Sequence, residues 1–430
     1  MGAKILIGSQ WGDEGKGKII DVLTQDIDWV VRYQGGNNAG HTVEIGDEQY
    51  ILHLIPSGIL RTGTKCVIGH GMVVDPLALK DEMRDLESRG IELGGRLLIS
   101  DRAHLVMPYH RMLDAGNESQ LADGEKIGTT KRGIGPTYAD KVSRTGLRVC
   151  DMLDPEFEKM LRRRIVSSNK RLRVMGAESM DAERIVSDIL EVSEYLKPFI
   201  ADTIALLNRA MRAGDKILFE GAQGTMLDID YGSYPFVTSS SSTAGGAATG
   251  TGVPPHRIEA VLGVLKAYTT RVGEGPMPTE LDDEMGEMLR SEGGEYGATT
   301  GRPRRCGWFD AVVARYSAEV NGIDSWALTK LDVLDNVETI KICTAYEVDG
   351  ERLETVPANA RILEKCVPVY EEMDGWQTSI SEVSTFEELP AKTKAYIARL
   401  EELTGVEAGL LSVGPRRSST IIMKDCPFTS

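Results

Sequence analysis

Three observations predict an α/β fold with a large, mostly parallel central sheet, flanking helices and helical insertions. Short apolar runs alternate with longer segments of helical apolar spacing along most of the chain. Several of these runs end in loops rich in Gly, Asp or Thr, and in a parallel sheet the carboxyl ends of strands form the ligand crevice. The first run breaks at once into glycines and lysines. The strand candidates are Lys4–Ile7, Trp29–Tyr33, Lys65–Ile68, Arg96–Ile99, Lys216–Phe219, Ala260–Leu265, Ser325–Leu328 and Thr339–Ala345. Residues 1–430 read as one domain. From about Pro155 to Arg212 glycines are few and charges many, which marks a helical insertion.

The first loop, Gly8-Ser9-Gln10-Trp11-Gly12-Asp13-Glu14-Gly15-Lys16-Gly17-Lys18, fits G-x-x-x-x-G-K from Gly12 to Lys18. Glycines there let backbone N–H groups close on phosphate oxygens, and lysine neutralises their charge. The expected fold is therefore P-loop-NTPase-like. Two residues break the pattern. Ile19 stands where a metal-binding hydroxyl belongs, and Asp13 is an acid inside a phosphate loop. Asp13 either caps the helix that begins near Lys16 or has a chemical role. In the second case it binds Mg²⁺ in place of the hydroxyl, or takes a proton from a substrate beside the phosphates.

The loop after the second strand, Gln34-Gly35-Gly36-Asn37-Asn38-Ala39-Gly40-His41-Thr42, combines glycines, amides and a histidine. His41 can donate to a developing anion or act as general acid. His53, in Leu52-His53-Leu54, reads as a packed core residue. Gly128-Thr129-Thr130-Lys131-Arg132-Gly133-Ile134-Gly135-Pro136 suits a second phosphate, and Arg144 follows it. Arg162, Arg163 and Arg164, with Lys170, Arg171 and Arg173, read as a solvated helix face, with an anion patch as the alternative. Glu220-Gly221-Ala222-Gln223-Gly224 follows a strand and offers an amide for a base edge. Residues 238–246 are either a flexible linker or a loop ordered by ligand. Ala298-Thr299-Thr300-Gly301-Arg302-Pro303-Arg304-Arg305 sets arginine forks beside hydroxyls, chemistry that holds carboxylates bidentately. Thr329-Lys330-Leu331-Asp332 ends a strand; the Asp332 carboxylate can accept from N1–H and the 2-amino group of guanine, which adenine cannot match, so GTP is expected over ATP. Phe386–Thr404 reads as an amphipathic surface helix.

Composition narrows the partners. A net charge of -16 argues against broad attraction to nucleic acid or an anionic membrane, so an anionic ligand must meet a local basic pocket. The N-terminus lacks a basic segment followed by a long apolar core, and no later apolar run reaches a membrane span, so a cytoplasmic protein is expected. The six cysteines show no C-x-x-C pair, and reduced structural thiols are expected.

In combination the motifs resemble those of the adenylosuccinate synthetase (IMP–aspartate ligase) family over essentially the whole chain. Gln10–Lys18, Gly35–Thr42, Gly133–Pro136, Glu220–Gly224, Thr299–Arg302 and Thr329–Asp332 stand in that family's order. The resemblance implies a GTP-dependent ligase at the first committed step from IMP to AMP. IMP and L-aspartate become adenylosuccinate while GTP becomes GDP and phosphate. By that resemblance Asp13 is the base for N1 of IMP, and the γ-phosphoryl group moves to O6, giving 6-phosphoryl-IMP. His41 is the proton donor, and Lys16 stabilises the transferring group. Mg²⁺ is held by Asp13 and the carbonyl of Gly40. The resemblance places GTP against Gly12, Asp13, Glu14, Gly15, Lys16, Gly17, Lys18, Gly40, His41, Thr42, Arg304, Lys330, Leu331, Asp332, Ser412, Val413 and Gly414. It places IMP against Asp13, Glu14, Gly15, Lys16, Asn38, Ala39, Gly40, His41, Thr129, Gln223, Thr238 and Arg302, with Arg144 reaching in from the second subunit of a homodimer. L-Aspartate is expected against Ala298, Thr299, Thr300, Gly301, Arg302, Pro303 and Arg304. The chain departs from the family's pattern at Pro303, where an arginine-rich loop is expected, and at Lys131, where a glycine is expected. A regulatory GTP-binding switch, or another P-loop ligase or kinase, is the alternative. A switch needs a D-x-x-G element after a strand, and none stands in the expected place.

Overall fold

A computed structural model describes residues 2–45, 48–122, 127–297 and 301–428. The expected aspartate contacts Ala298, Thr299 and Thr300 lie outside the described residues. The main sheet has ten strands. They are β1 (Ala3–Gly8), β2 (Trp29–Arg32), β3 (Lys65–Ile68), β4 (Leu97–Ser100), β5 (Ile200–Ala201), β6 (Ile217–Glu220), β7 (Ile258–Lys266), β8 (Ser325–Thr329), β9 (Ala408–Ser412) and β10 (Thr420–Ile422). Their order is β10-β9-β8-β7-β1-β6-β2-β3-β4-β5. Every pair is parallel except β9 with β10.

Both faces of the sheet are buried, which is why its strands read as unbroken apolar runs. Ile5, Ile7, Val31, Tyr33, Ile217 and Phe219 enter one apolar layer, while Leu6, Val30, Leu218 and Leu262 enter the other. That alternation is the period of two of a strand. With β1 central, the loops leaving the carboxyl ends of β9, β8, β7, β1, β6 and β2 emerge side by side along one edge. This adjacency brings residues hundreds of positions apart to one place.

Seven of the expected strands lie in this sheet, with ends within two residues of the expected ones. Thr339–Ala345 is a strand, extended to Val348, but it belongs to a separate sheet with Val367–Asp374 and Glu351–Leu353. The insertion folds into helices Phe157–Val174, Ala182–Leu196 and Thr203–Ala213, yet it also supplies β5 to the sheet edge. Arg162 lies on a solvated face, paired with Glu158 at 2.8 Å and Glu183 at 2.6 Å. Residues 238–246 are not a linker. Ser242 Oγ donates to the Gly224 carbonyl at 2.9 Å, and Thr243 N donates to Asp228 Oδ2 at 3.0 Å, so the segment backs the Gln223 loop. The expected surface helix begins only at Ala391, directly after Pro390, and runs to Thr404. The six cysteines are free thiols. Among the described residues no helix is long and apolar enough to cross a membrane.

Candidate active site

Between β1 and α1 (Lys16–Leu23) the backbone turns left-handed at Gly12, Asp13 and Gly15, with φ of 85°, 57° and 86°. Aspartate tolerates that region better than most side chains do. The helix carries no side-chain cap, so Asp13 is not a capping residue. Its Oδ2 instead accepts from Arg304 Nε at 3.0 Å, and its side chain is 38% exposed at the mouth of the loop. Glu14 turns inward and is fully buried. Its carboxylate accepts from Gln10 N at 3.0 Å, Gly12 N at 2.9 Å and Lys16 Nζ at 2.5 Å. Thr329 Oγ1, from the end of β8, donates to the Glu14 carbonyl at 2.5 Å and fastens the loop to its neighbour. A Cβ on Gly8 would strike the Glu14 carboxylate, and one on Gly17 would strike the Thr42 carbonyl.

Lys18 is directed elsewhere than its place in the motif suggests. Its ammonium donates to Ser412 Oγ at 2.8 Å, to the Gly414 carbonyl at 2.6 Å and to the Ser419 carbonyl at 2.9 Å. Those bonds use the three donors of a lysine, so Lys18 ties the loop after β9 to the phosphate loop. Burial pulls its ammonium down to about 8, against the opposing pull of Asp332.

The loop after β2 carries His41, whose Nδ1 is hydrogen-bonded to Oε1 of Glu220 at the end of β6. Glu220 is fully buried and also accepts from Ser57 N at 2.8 Å and Ser57 Oγ at 2.9 Å. Burial raises the Glu220 carboxyl, but His41, Arg32 and the Ser57 amide outweigh it and hold the group below its ordinary range. Burial of the His41 ring, together with the nearby charges of Arg32 and Lys16, lowers its basicity against the opposing pull of Glu220. A neutral imidazole donating Nδ1–H to a carboxylate satisfies both directions. That bond leaves Nε2 as the ring atom available to a substrate. His53 is half-buried rather than a core residue, and its Nδ1 meets the Ala39 carbonyl at 2.8 Å, which props the same loop.

Nearby stand polar atoms whose bonding is incomplete. Gln223, with φ 59°, accepts through Oε1 from Gln34 Nε2 at 3.0 Å. Its Nε2 and the Thr129 hydroxyl are buried without a partner among the described residues. Such groups are costly unless something else satisfies them. Asn38 Oδ1 accepts from Gly36 N at 3.2 Å, and the Thr238 hydroxyl meets Ser240 Oγ at 3.4 Å. Lys131, at the expected glycine, adopts φ 55°, so the loop keeps a glycine-like turn despite the substitution. Arg144 ends the helix Ile134–Ser143 and is exposed.

On the other flank Arg304 bridges two acids. It contacts Asp13 through Nε and Glu295 Oε2 through Nη1 at 2.6 Å. Arg302, Gly301 and Pro303 are exposed beside it. Arg305 is a fastening residue: it pairs with Glu280 and donates to the carbonyls of Gly273 at 3.2 Å and Gly275 at 2.7 Å. After β8, Lys330 donates to the Gly293 carbonyl at 2.9 Å. Asp332 Oδ1 is buried without a partner among the described residues, and burial raises that carboxyl. Leu331 and Val413 pack their side chains into the core, and Val413 N donates to the Ser419 carbonyl at 3.0 Å.

A glycine-rich P-loop, a buried carboxylate oxygen without a partner among the described residues and an arginine fork, gathered along one sheet edge, mark the chain as an enzyme of the nucleotide-dependent P-loop class. The family model described as adenylosuccinate synthetase matches residues 5–421. The adenylosuccinate synthetase of Trichlorobacter lovleyi is 52% identical over 430 residues, covering 100% of both chains. That of Caldanaerobacter subterraneus subsp. tengcongensis is 53% identical over 428 residues, covering 99% of this chain and 100% of the relative. The structure of fully ligated adenylosuccinate synthetase from Plasmodium falciparum superposes with a TM-score of 0.94 at 40% identity, covering 99% of this chain and 100% of that one. The chain belongs to the adenylosuccinate synthetase family. It is a GTP-dependent ligase of AMP synthesis that joins IMP to L-aspartate, and no relative supports the regulatory switch.

Proposed function

We infer that the ligase works in two steps, and that Asp13 and His41 carry the first. Asp13 removes the N1 proton of IMP, O6 becomes nucleophilic, and the γ-phosphoryl group of GTP passes to O6. The amine of L-aspartate then displaces phosphate from C6. The observation that supports this reading most is the placement of Asp13: exposed at the mouth of the phosphate loop and joined to an arginine of the aspartate loop. A purely phosphate-binding loop has no use for an acid there.

Lys16 is expected to leave Glu14 for the transferring group, whose charge it offsets. His41, oriented by Glu220, is the proton donor. With Nδ1–H held by Glu220, its Nε2 must take up a second proton, which the phosphates of bound GTP would favour, before the imidazolium donates from Nε2 to the oxygen receiving the phosphoryl group. The unpartnered Gln223 amide and Thr129 hydroxyl are suited to IMP, with Asn38, Ala39, Gly40, Thr238 and Arg302 completing its site. L-Aspartate lies against the 298–304 loop. Lys330, Asp332, Ser412 and Gly414 surround guanine, with Lys18 acting through the last two. Arg144 and Val142, the latter 80% exposed, stand together at one helix end, which supports a homodimer in which Arg144 serves the other subunit's IMP. Strands from both ends of the chain share one sheet, which supports residues 1–430 as one domain. Family membership and the free thiols support a cytoplasmic enzyme.

Mg²⁺ fits the donor set. Among the described residues no group of three His, Cys, Asp or Glu converges on a metal position. Mg²⁺ needs none, because one or two carboxylates plus substrate phosphates and waters suffice. Asp13 and the carbonyl of Gly40 are the groups that would hold it, and the ion would neutralise charge on the phosphates.

The reading is tested by withholding IMP from GTP, L-aspartate and enzyme: GDP release must stop, and release that continues unchanged contradicts it. Asp332→Asn provides a test of base recognition. An amide can donate to the 2-oxo group of xanthine, so the variant is expected to prefer XTP over GTP. Competition assays with the two nucleotides read this directly, and an unaltered preference would remove Asp332 from the base site.

A further inference from the structure

Beneath Arg304 lies a charge cluster that the two-step reaction does not use. Lys266 ends β7 and is 1% exposed; its ammonium donates to Glu295 Oε1 at 2.8 Å and to Thr270 Oγ1 at 2.8 Å. The Tyr268 hydroxyl donates to the same Glu295 oxygen. Glu295 is fully buried, and its second oxygen, Oε2, grips Arg304 Nη1. Its carbonyl also accepts from Arg304 N at 2.9 Å. Arg304 is therefore held at both backbone and guanidinium by one residue, while its Nε reaches Asp13.

A buried lysine–glutamate pair is poor evidence of a purely structural role, because apolar residues of similar volume commonly serve stability as well or better. Here the pair ends on a residue of the site. Lys266 keeps Glu295 ionised, and ionised Glu295 keeps the arginine fork in one orientation, with donors left over for a substrate carboxylate. An arginine held in advance binds a carboxylate without first losing side-chain freedom.

We propose that Glu295, backed by Lys266, is a positioning residue that sets the affinity for L-aspartate by holding Arg304. This rests on the reading of Arg304 as an L-aspartate ligand. Steady-state kinetics of the full chain, varying each substrate in turn, test it with Glu295→Gln beside Arg304→Leu. Glu295→Gln is expected to raise KM for L-aspartate roughly 10–100-fold, the scale of one charge-assisted hydrogen bond. KM for IMP, and kcat at saturating substrates, should stay within about threefold. KM for GTP, which the family resemblance also places against Arg304, should rise less than KM for L-aspartate. An unchanged KM for L-aspartate overturns the proposal, as does a joint loss in kcat and all three KM values. If Arg304→Leu also leaves KM for L-aspartate unchanged, the assignment of Arg304 fails. If Arg304→Leu raises it and Glu295→Gln does not, only the positioning role fails. Should Glu295→Gln not fold because Lys266 is left unpaired, Lys266→Met combined with Glu295→Gln removes both buried charges. That double variant must show the same selective rise, and a wild-type KM for L-aspartate in it overturns the proposal.

Discussion

Asp13→Asn is expected to lower kcat by about 10²–10⁴-fold, the usual worth of a general base, while leaving the fold nearly intact. Asparagine matches the size of aspartate and tolerates the left-handed backbone at φ 57°. It cannot take the N1 proton of IMP. The lost pairing with Arg304 costs little stability, since Asp13 is 38% exposed and ion pairs so open to solvent are worth about 0–1 kcal/mol. Alanine at the same position adds backbone strain and removes any metal contact, so its loss should be larger. Stopped assays together with urea unfolding separate the two effects. Near-normal turnover in Asp13→Asn would end the assignment of Asp13 as base.

His41→Asn is expected to fail in both respects. Loss of the imidazole removes a proton donor, again about 10²–10⁴-fold in kcat. It also leaves Glu220 buried with only Ser57 as a hydrogen-bond partner of those described. Removing a hydrogen-bond donor from a buried carboxylate typically costs about 1.5–3 kcal/mol. The destabilisation should depend on pH with a definite sign. Glu220 titrates below its ordinary value in the folded protein, so its contribution is complete above the unfolded carboxyl's 4.5 and fades as pH falls below that. The stability gap between wild type and His41→Asn should therefore be widest near neutrality and narrow below about pH 4.5, read from denaturant midpoints across pH. A gap that widens on acidification would mean Glu220 is not ionised beside His41.

Legibility in the sequence followed distance along the chain. The phosphate loop, the glycine-flanked His41 loop and Thr329–Asp332 are contiguous motifs, each the direct continuation of a strand, so residue types and spacing were enough. Apolar periodicity placed most central strands for the same reason. Partners at long range left no local trace. Glu220 lies 179 residues from His41, and its role as that ring's hydrogen-bond acceptor arises only because β6 lies between β1 and β2. Glu295 and Lys266 sit in stretches with no motif, and the role proposed for them arises only because Lys266 meets Glu295 and Glu295 meets Arg304. Lys18 fits a phosphate motif, yet its acceptors lie about 400 residues away, at Ser412, Gly414 and Ser419. The capping alternative for Asp13 could be set aside only when its distant partner was in view. Among strands, β5 has two residues, too few for a pattern, and β9 opens with Ala408 and Gly409, which dilute its apolar signal. Thr339–Val348 reads as a strand, but membership of a separate sheet depends on its antiparallel pairing with Val367–Asp374.

The chemistry assigned to Asp13 and His41 requires that O6 of IMP leave with phosphate. IMP carrying ¹⁸O at position 6 should therefore give adenylosuccinate free of the label and one labelled oxygen in each released phosphate, measured by mass spectrometry of the phosphate. Phosphate without excess label, formed together with adenylosuccinate, would contradict transfer to O6 and with it the role of the acid in the phosphate loop.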